Sequence, residues 1–252
     1  MSTLDERVQC AHSDAWQAEG LLRASRGGGA TEFPGVRLMA SGLPHAQWNN
    51  GDVTDAALFR VEEVRAWYAE RAGGQGVPWG VRVPASTPFA HGQWLFRKRC
   101  MGLMPGRFRT TERPPGVDIR VAGSADVDTV AAIDAAAFGG TLEPTRQWVE
   151  PHLEASGFIV ALATLHGAAV GIGTVILTDD RAGRCAGIFG VGVSEGARRR
   201  GIGSAVTAWL LERAFAEGVG FAYLSPDGDS AARLYARLGF VETAGLDVYV
   251  NL

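Results

Sequence analysis

A short stretch at residues 191–203, Val-Gly-Val-Ser-Glu-Gly-Ala-Arg-Arg-Arg-Gly-Ile-Gly, constrains the fold of this chain more than any other part. The run that leads into it, residues 185–193, is apolar and uncharged, which predicts a buried strand. Residues 201–217 carry their large apolar side chains on one stripe, which predicts an amphipathic helix. The stretch is therefore predicted to join a strand to a helix through a tight loop of arginine and glycine.

Such a loop has the properties of a phosphate-binding site. The first N–H groups of a helix have no acceptor within the helix, and the helix dipole favours an anion there by ~0.3–1 kcal/mol. Gly201 and Gly203 have no Cβ to keep a phosphate away from the backbone. Arg198, Arg199 and Arg200 can donate forked, charge-assisted hydrogen bonds. The alternative is a basic surface loop that caps an ordinary helix.

Two common phosphate-binding patterns do not fit this stretch. The pattern Gly-x-x-x-x-Gly-Lys-Ser/Thr is not found here, and Gly-x-Gly-x-x-Gly fails because Glu195 and Val206 stand where its third glycine would be. The spacing Arg198-x-x-Gly201-x-Gly203 instead resembles the acyl-coenzyme A motif of the GNAT superfamily of N-acetyltransferases, Arg/Gln-x-x-Gly-x-Gly/Ala. The order of predicted helices and strands over residues 117–252 is similar to that of the same superfamily.

A second motif supports the resemblance. Residues 231–240, Ala-Ala-Arg-Leu-Tyr-Ala-Arg-Leu-Gly-Phe, are similar to the later GNAT motif Asn-x-x-Ala-x-x-Leu-Tyr-x-x-x-Gly-Phe. The resemblance implies that Tyr235 is the catalytic proton donor to the departing thiolate; the alternative is a tyrosine packed in a helix. Two positions depart from the family pattern. Gly228 replaces the asparagine, and Tyr223 stands where some relatives keep a glutamate as general base.

The resemblance implies a site and a reaction. Backbone groups of two short runs are expected to hold acetyl-coenzyme A as co-substrate: Val191, Gly192 and Val193 along the pantetheine arm, and Arg198, Arg199, Arg200, Gly201, Ile202, Gly203 and Ser204 around the pyrophosphate. The implied enzyme is an acyltransferase that moves an acetyl group to a primary amine of a small molecule or peptide. Its general base stays open among Glu195, Asp227 and a water chain. The alternative function is a non-catalytic acyl-coenzyme A sensor or interaction module.

The chain is predicted to hold two domains. Residues 105–116 are rich in proline, glycine and charge and are the best candidate for a linker. Residues 113–252 are expected to form an α/β (α+β) catalytic domain of the GNAT fold, with a mixed central sheet flanked by helices. Residues 1–112 are expected to form a smaller α/β domain, either a degenerate GNAT-like relative without the arginine–glycine motif or an unrelated domain.

Local patterns in the first domain are less regular. Asn49-Asn50-Gly51 predicts a turn over residues 47–54, and residues 92–99 are interpreted as a short helix. Residues 55–72 predict an amphipathic helix that ends at the glycine-rich residues 73–76.

Composition excludes several classes of partner. The net charge of −3 gives no indication of nucleic-acid binding, and the longest apolar runs are too short to cross a bilayer. Three widely separated cysteines and the lack of any Cys/His cluster predict a reducing compartment and no metal site. Asp5 and Glu6, with no apolar segment after them, favour a cytoplasmic protein over a secreted one. Whether the chain forms a homodimer stays open.

Overall fold

A computed structural model describes residues 3–71 and 78–252 of the chain. Its helices and strands follow in the order α1 (Leu4–Leu22), β1 (Gly29–Phe33), β2 (Val36–Ala40), β3 (Asn49–Val53), α2 (Val61–Arg71), β4 (Gly80–Pro84), β5 (Gln93–Lys98), β6 (Met101–Leu103), β7 (Val117–Val121), α3 (Val127–Phe138), α4 (Leu142–Val149), β8 (Phe158–Leu165), β9 (Ala168–Asp180), β10 (Gly183–Val193), α5 (Ile202–Ala216), β11 (Ala222–Leu224), α6 (Asp229–Arg237), β12 (Val241–Glu242) and β13 (Leu246–Val250). The predicted mixed α/β architecture is confirmed. The predicted helix end at residues 73–76 lies outside the described residues.

The chain forms two compact units. Unit 1 comprises Met1–Cys100 together with Glu242–Leu252, and unit 2 comprises Met101–Val241. The division expected at residues 112 and 113 therefore differs from the structure at two places. Strand β6 precedes the predicted linker and yet pairs with β11 of unit 2, whereas β13 ends the chain and pairs with β4 and β5 of unit 1. Strand pairing between distant parts of the chain overrides the local linker signal.

Unit 2 is built on a seven-stranded sheet in the order β12-β6-β11-β10-β9-β8-β7. The β10–β11 pair is parallel, and the pairs from β10 to β7 are antiparallel. Alternate residues of β8 belong to different cores: Ala161 and Ala163 pack with α5, whereas Val160 and Leu162 pack with α3. Because successive side chains of a strand point to opposite faces, α5 and α3 cover opposite faces of this sheet.

Small residues let α5 lie close to the sheet. A Cβ added at Gly173 would stand 2.8 Å from a methyl carbon of Val206 and 3.1 Å from one of Leu210. A Cβ at Gly171 would stand 3.1 Å from Ile202. The apolar stripe of the helix therefore fills the space that side chains on β9 would otherwise take.

Unit 1 carries a six-stranded sheet in the order β1-β2-β3-β4-β13-β5. Strands β1, β2 and β3 are antiparallel neighbours, and β4, which follows α2, is parallel to β3. Unit 2 repeats this order, since β8, β9 and β10 are antiparallel neighbours and β11, which follows α5, is parallel to β10. In each unit an antiparallel strand from the other half of the chain pairs with the second member of the parallel pair.

The interior of unit 1 contains a charged network in addition to its apolar core. Arg82 donates from Nε and Nη2 to the two oxygens of Asp52, each at 2.9 Å. His12 lies with Nδ1 3.2 Å from Asp52, and Trp16 Nε1 donates to His12 Nε2 at 3.2 Å. Burial, and next the charge of Arg82, lowers the pKa of His12 to about 4. The ring is therefore neutral, with Nδ1 as donor and Nε2 as acceptor.

Candidate functional site

The upstream half of the site is an interrupted strand. Strand β10 is paired with β9 along its length, but the register shifts between Phe189 and Gly192, where Gly190 has a φ of +55°. On its other edge β10 pairs with β11 only over Ala186–Ile188. In the described part of the chain, no strand covers that edge beyond Ile188. The backbone of residues 189–193 is thus open for pairing, as a bulge and a diverging neighbour allow.

The loop after β10 holds the arginines at the surface. Arg198 donates from Nε to the carbonyl oxygen of Val193 at 3.0 Å, which ties the loop back to the end of the strand. Arg199 adopts a φ of +62°, a left-handed conformation that is unfavourable for a residue with a Cβ. Arg198, Arg199 and Arg200 are all exposed. The positive charges of three exposed arginines therefore lie at this loop, and the guanidinium groups of Arg199 and Arg200 extend from it into solvent.

Helix α5 begins directly after the arginines. Gly201 is its N-cap residue with a φ of +78° and makes no side-chain cap hydrogen bond. The next three N–H groups, those of Ile202, Gly203 and Ser204, have no acceptor within an α-helix. The side chain of Ile202 is 1% exposed, so this residue offers only its backbone. The open helix start is a suitable site for phosphate.

The two predicted halves of the site lie side by side. A Cβ added at Gly203 would stand 3.9 Å from Val193 and 4.0 Å from Val191, and 3.7 Å from Leu234 of α6. The structure thus brings the start of α5, the open strand segment and the helix of Tyr235 together. Gly192 faces the other side of the sheet, where an added Cβ would stand 2.9 Å from Ala137 of α3.

Tyr235 lies in α6, where its side chain is 9% exposed and its ring packs edge-on against Phe240 at 6.0 Å. Burial, with a smaller contribution from the charge of Asp227, raises the pKa of Tyr235 to about 12. Gly239 must be glycine, because its φ is +102° and an added Cβ would lie 2.0 Å from the carbonyl oxygen of Arg107. The Leu-Gly-Phe sequence therefore fixes the turn that returns Phe240 to the tyrosine.

The candidates for a general base differ in burial. Glu195 and Asp227 are exposed, and Tyr223 is 1% exposed within β11. Sequence reasoning missed Asp134 of α3, whose Oδ2 lies 3.5 Å from where a Cβ at Gly190 would be. Its burial raises the pKa of this carboxyl to about 6. The available signal was its spacing, three and four residues after the buried Ala131 and Val130.

The described residues also limit which classes of site this part of the protein can contain. No cluster of three or more His, Cys, Asp or Glu side chains in residues 3–71 and 78–252 is placed to hold a metal ion. Over the same ranges, every helix is too short or too polar to cross a bilayer.

Solved structures similar to this chain share its fold across both units. A GCN5-related N-acetyltransferase from Kribbella flavida has a TM-score of 0.69 and 20% identity, with 95% of this chain and 94% of that chain covered. A functionally unknown conserved protein from Staphylococcus epidermidis ATCC 12228 has a TM-score of 0.62 and 17% identity, covering 87% and 91%. A putative GNAT-family acetyltransferase from Novosphingobium aromaticivorans DSM 12444 has a TM-score of 0.60 and 16% identity, covering 94% and 96%.

Sequence comparison adds the family. No functionally curated protein matches the chain. Residues 127–240 match the family model described as the acetyltransferase (GNAT) family, a range that runs from the start of α3 to Phe240 and includes the loop and Tyr235. This homology supports acyltransferase activity in general. Residues 127–240 therefore form a domain that matches the GNAT family of acetyltransferases.

Proposed function

We propose that unit 2 transfers an acetyl group from acetyl-coenzyme A to a primary amine of a small molecule or peptide. The observation that supports this most is the open edge of residues 189–193 beside the uncapped start of α5. The N–H groups of Arg199 through Ser204 would hold the pyrophosphate, with the guanidinium groups of the loop around it. The backbone of Val191, Gly192 and Val193 would pair with the pantetheine arm as a neighbouring strand does.

The bulge would polarise the thioester. A backbone N–H near Val191 or Val193 that has no strand partner can donate to the carbonyl oxygen of the thioester, where negative charge grows during attack. Removing one such preorganised donor costs about 10²–10³ in kcat in other acyl transfers. The glycines of this segment permit the change of register that exposes such a group.

Tyr235 would protonate the thiolate that leaves. With a pKa of about 12, its phenol is fully protonated at neutral pH and can donate. A free thiol has a pKa of ~8.5, so a complete transfer from this phenol is uphill by roughly 5 kcal/mol. The proton transfer therefore has to accompany cleavage of the C–S bond, and Tyr235 recovers its proton from solvent. We expect no loss of activity below pH 10 from ionisation of this side chain.

Coenzyme release from acetyl-coenzyme A in the presence of a panel of primary amines tests the proposal. At least one amine is expected to be turned over, and Tyr235→Phe should lower kcat by ten-fold or more without weakening acetyl-coenzyme A binding. Tyr249→Phe is the matched control, because Tyr249 is a half-buried tyrosine in β13 of unit 1. Equal kcat in the Tyr235→Phe variant and the wild type would remove this residue from the mechanism.

A non-catalytic acyl-coenzyme A sensor is the second candidate. Gly228, which replaces the family's asparagine, is the N-cap of α6 and provides no side-chain cap or hydrogen bond to a pantetheine arm. A sensor would bind acetyl-coenzyme A tightly in titration calorimetry while every amine in the panel stayed unacetylated. An enzyme would bind it and release coenzyme when an amine is added.

Unit 1 is proposed to be a degenerate GNAT-like domain that binds no coenzyme. Its support is the repeated strand and helix order, with β3 and α2 in the places of β10 and α5. The connection at residues 54–60, Thr-Asp-Ala-Ala-Leu-Phe-Arg, carries no Arg-x-x-Gly-x-Gly pattern. Calorimetry should therefore give one acetyl-coenzyme A per chain.

Cys10, Cys100 and Cys185 form no disulfide with one another, which fits a reducing compartment such as the cytoplasm.

A further inference from the structure

Helix α3 places a carboxyl group over the bulge of β10. A Cβ at Gly190 would stand 3.5 Å from Asp134 Oδ2. One turn later along the helix, a Cβ at Gly192 would stand 2.9 Å from Ala137 and 3.4 Å from the ring of Phe138. Both glycines thus lie directly beneath the same side of α3. The Asp134 carboxyl is held against the segment where the proposed thioester would lie.

The described residues around Asp134 provide no counter-ion. Among the described residues, none forms a hydrogen bond or an ion pair with this carboxyl, and desolvation alone accounts for its raised pKa. On the same helix Asp128 pairs with Arg146 of α4, and Arg146 also lies 3.7 Å from Glu150. Glu143 of α4 accepts a hydrogen bond from Gln147.

The strands beneath α3 carry no charge near this carboxyl. Strand β9 has no titratable side chain from Ala168 to Thr178, and neither does β10 over residues 189–193. A half-buried carboxylate without a partner is uncommon, because its desolvation is not offset by any interaction within the protein. An ammonium group that entered beside the bulge would supply the missing cation.

We propose that Asp134 is the general base that removes a proton from the ammonium group of the acceptor; this rests on the transferase function proposed above. The ionised carboxylate takes one proton from the R–NH₃⁺ group and passes it to water. The neutral nitrogen then attacks the thioester carbon, and a C–N bond forms as the C–S bond breaks. A second proton from nitrogen replaces the one that Tyr235 gives to the thiolate, directly or through solvent. The third stays on the amide product.

The two acidic residues considered from the sequence fit this role less well. Glu195 lies in the turn before the three arginines, at the end of the site where phosphates would bind, and is exposed. Asp227 is exposed in the connection before α6. A base for the amine has to lie beside the reacting carbonyl. Of these three carboxyl groups, only that of Asp134 lies next to Gly190 of the bulge.

The test is the pH dependence of kcat/KM in the full-length protein and its Asp134→Asn variant. Two acceptors are compared: the best alkylamine of the panel, and an aromatic amine that is already neutral at pH 7. The wild type should lose alkylamine activity about ten-fold per pH unit below pH 6, because the base is then protonated. Asp134→Asn should lose roughly 10²–10⁴-fold with the alkylamine, the usual contribution of a general base, and far less with the neutral amine.

Asp128→Asn is the matched control, since Asp128 lies on the same helix with a side chain that is 82% exposed. It should keep the wild-type profile, and both variants should bind acetyl-coenzyme A as the wild type does. Equal losses of Asp134→Asn with both amines, or an acid limb that persists in this variant, would overturn the role of base while leaving the transferase intact. A wild type that binds acetyl-coenzyme A but acetylates no amine would overturn both proposals.

Discussion

Replacing Asp134 with asparagine should stabilise unit 2 in a pH-dependent way. Burial raises the pKa of this carboxyl from 3.8 to about 6 in the folded protein. Between these two values the folded state binds more protons than the unfolded state, so stability falls as pH rises. Each pKa unit corresponds to 1.36 kcal/mol, so the ionised carboxylate destabilises the fold by about 3 kcal/mol above pH 7. At pH 4 the same effect is under about 1 kcal/mol.

The measurement is hydrogen exchange of the backbone amides of α3 and β10, because the two units of the chain need not unfold together. At pH 8 the Asp134→Asn variant should open with a free energy about 3 kcal/mol higher than the wild type, which corresponds to roughly 100-fold slower exchange. An unpaired asparagine amide brings its own desolvation penalty at both pH values. The quantity to compare is therefore the difference in opening free energy between the variant and the wild type, measured at pH 4 and again at pH 8.

Asp128→Asn again serves as the control. It removes an exposed ion pair with Arg146, and such pairs contribute at most ~1 kcal/mol. We expect similar small effects of this substitution at pH 4 and pH 8. If Asp134→Asn gained no stability between these pH values relative to the wild type, the carboxylate would not be desolvated, and the argument from its burial would be refuted.

Two further predictions concern the loop and unit 1. Arg199→Gly should raise the stability of the ligand-free protein by up to ~1 kcal/mol, since glycine adopts a φ of +62° without strain, and should weaken acetyl-coenzyme A binding about ten-fold in calorimetry. The stability of unit 1 should fall by about 3 kcal/mol as pH drops from 6.5 to 4, because the buried His12 has its pKa lowered to about 4 while the unfolded histidine takes up a proton. Denaturant titrations between pH 6.5 and pH 4 should show that the unfolding free energy of the His12→Gln variant no longer falls with pH in this way. If it still falls as in the wild type, a group other than His12 causes the pH dependence.

The parts of the fold that the sequence predicted correctly are those determined by local signals. Helix α5 was expected at residues 201–217 and spans Ile202–Ala216. Its start is set by Gly201, whose φ of +78° favours glycine, and its inner face by a continuous apolar stripe. These features depend on residues that are close in sequence, and for this reason the sequence predicted the strand, the loop and the helix as one unit. The GNAT family, inferred from the same residues, is confirmed by the match over residues 127–240.

The turn predicted at residues 47–54 was wrong, and so was the short helix predicted at residues 92–99. Asn49-Asn50-Gly51 lies in β3, where Asn49 accepts hydrogen bonds from the backbone and hydroxyl of Ser41 and donates to two backbone carbonyls. Gly51 leaves room for Leu38, which would stand 2.7 Å from an added Cβ. Tertiary contacts thus satisfy side chains that usually favour turns.

Strand β5 shows a second reason why a local sequence pattern can predict the wrong structure. Its partner is β13, and Trp94 pairs with Tyr249 in the register of the two strands. No window of 10 or 20 residues contains both strands, so a local pattern could not indicate their pairing. The same pairing moved the end of unit 1 to the last residues of the chain, against the boundary expected at residue 112.

The spacing of Asp134 places it near the apolar face of α3, but only the fold shows that it lies beside Gly190, and this position connects stability with function. A carboxylate on a helix is usually exposed, and along the chain α4, β8 and β9 lie between Asp134 and Gly190. The fold nevertheless brings them together, and no cation among the residues that the structure describes pairs with the carboxyl. An arrangement that lowers the stability of the protein is expected where a group serves the reaction instead of the fold. If Asp134→Asn both stabilises unit 2 at pH 8 and abolishes acetylation of alkylamines, this one substitution will show that the carboxylate serves catalysis at the expense of stability. If the variant were stabilised and kept full activity, catalysis would not explain why the Asp134 carboxylate is buried, and its proposed role as general base would be wrong.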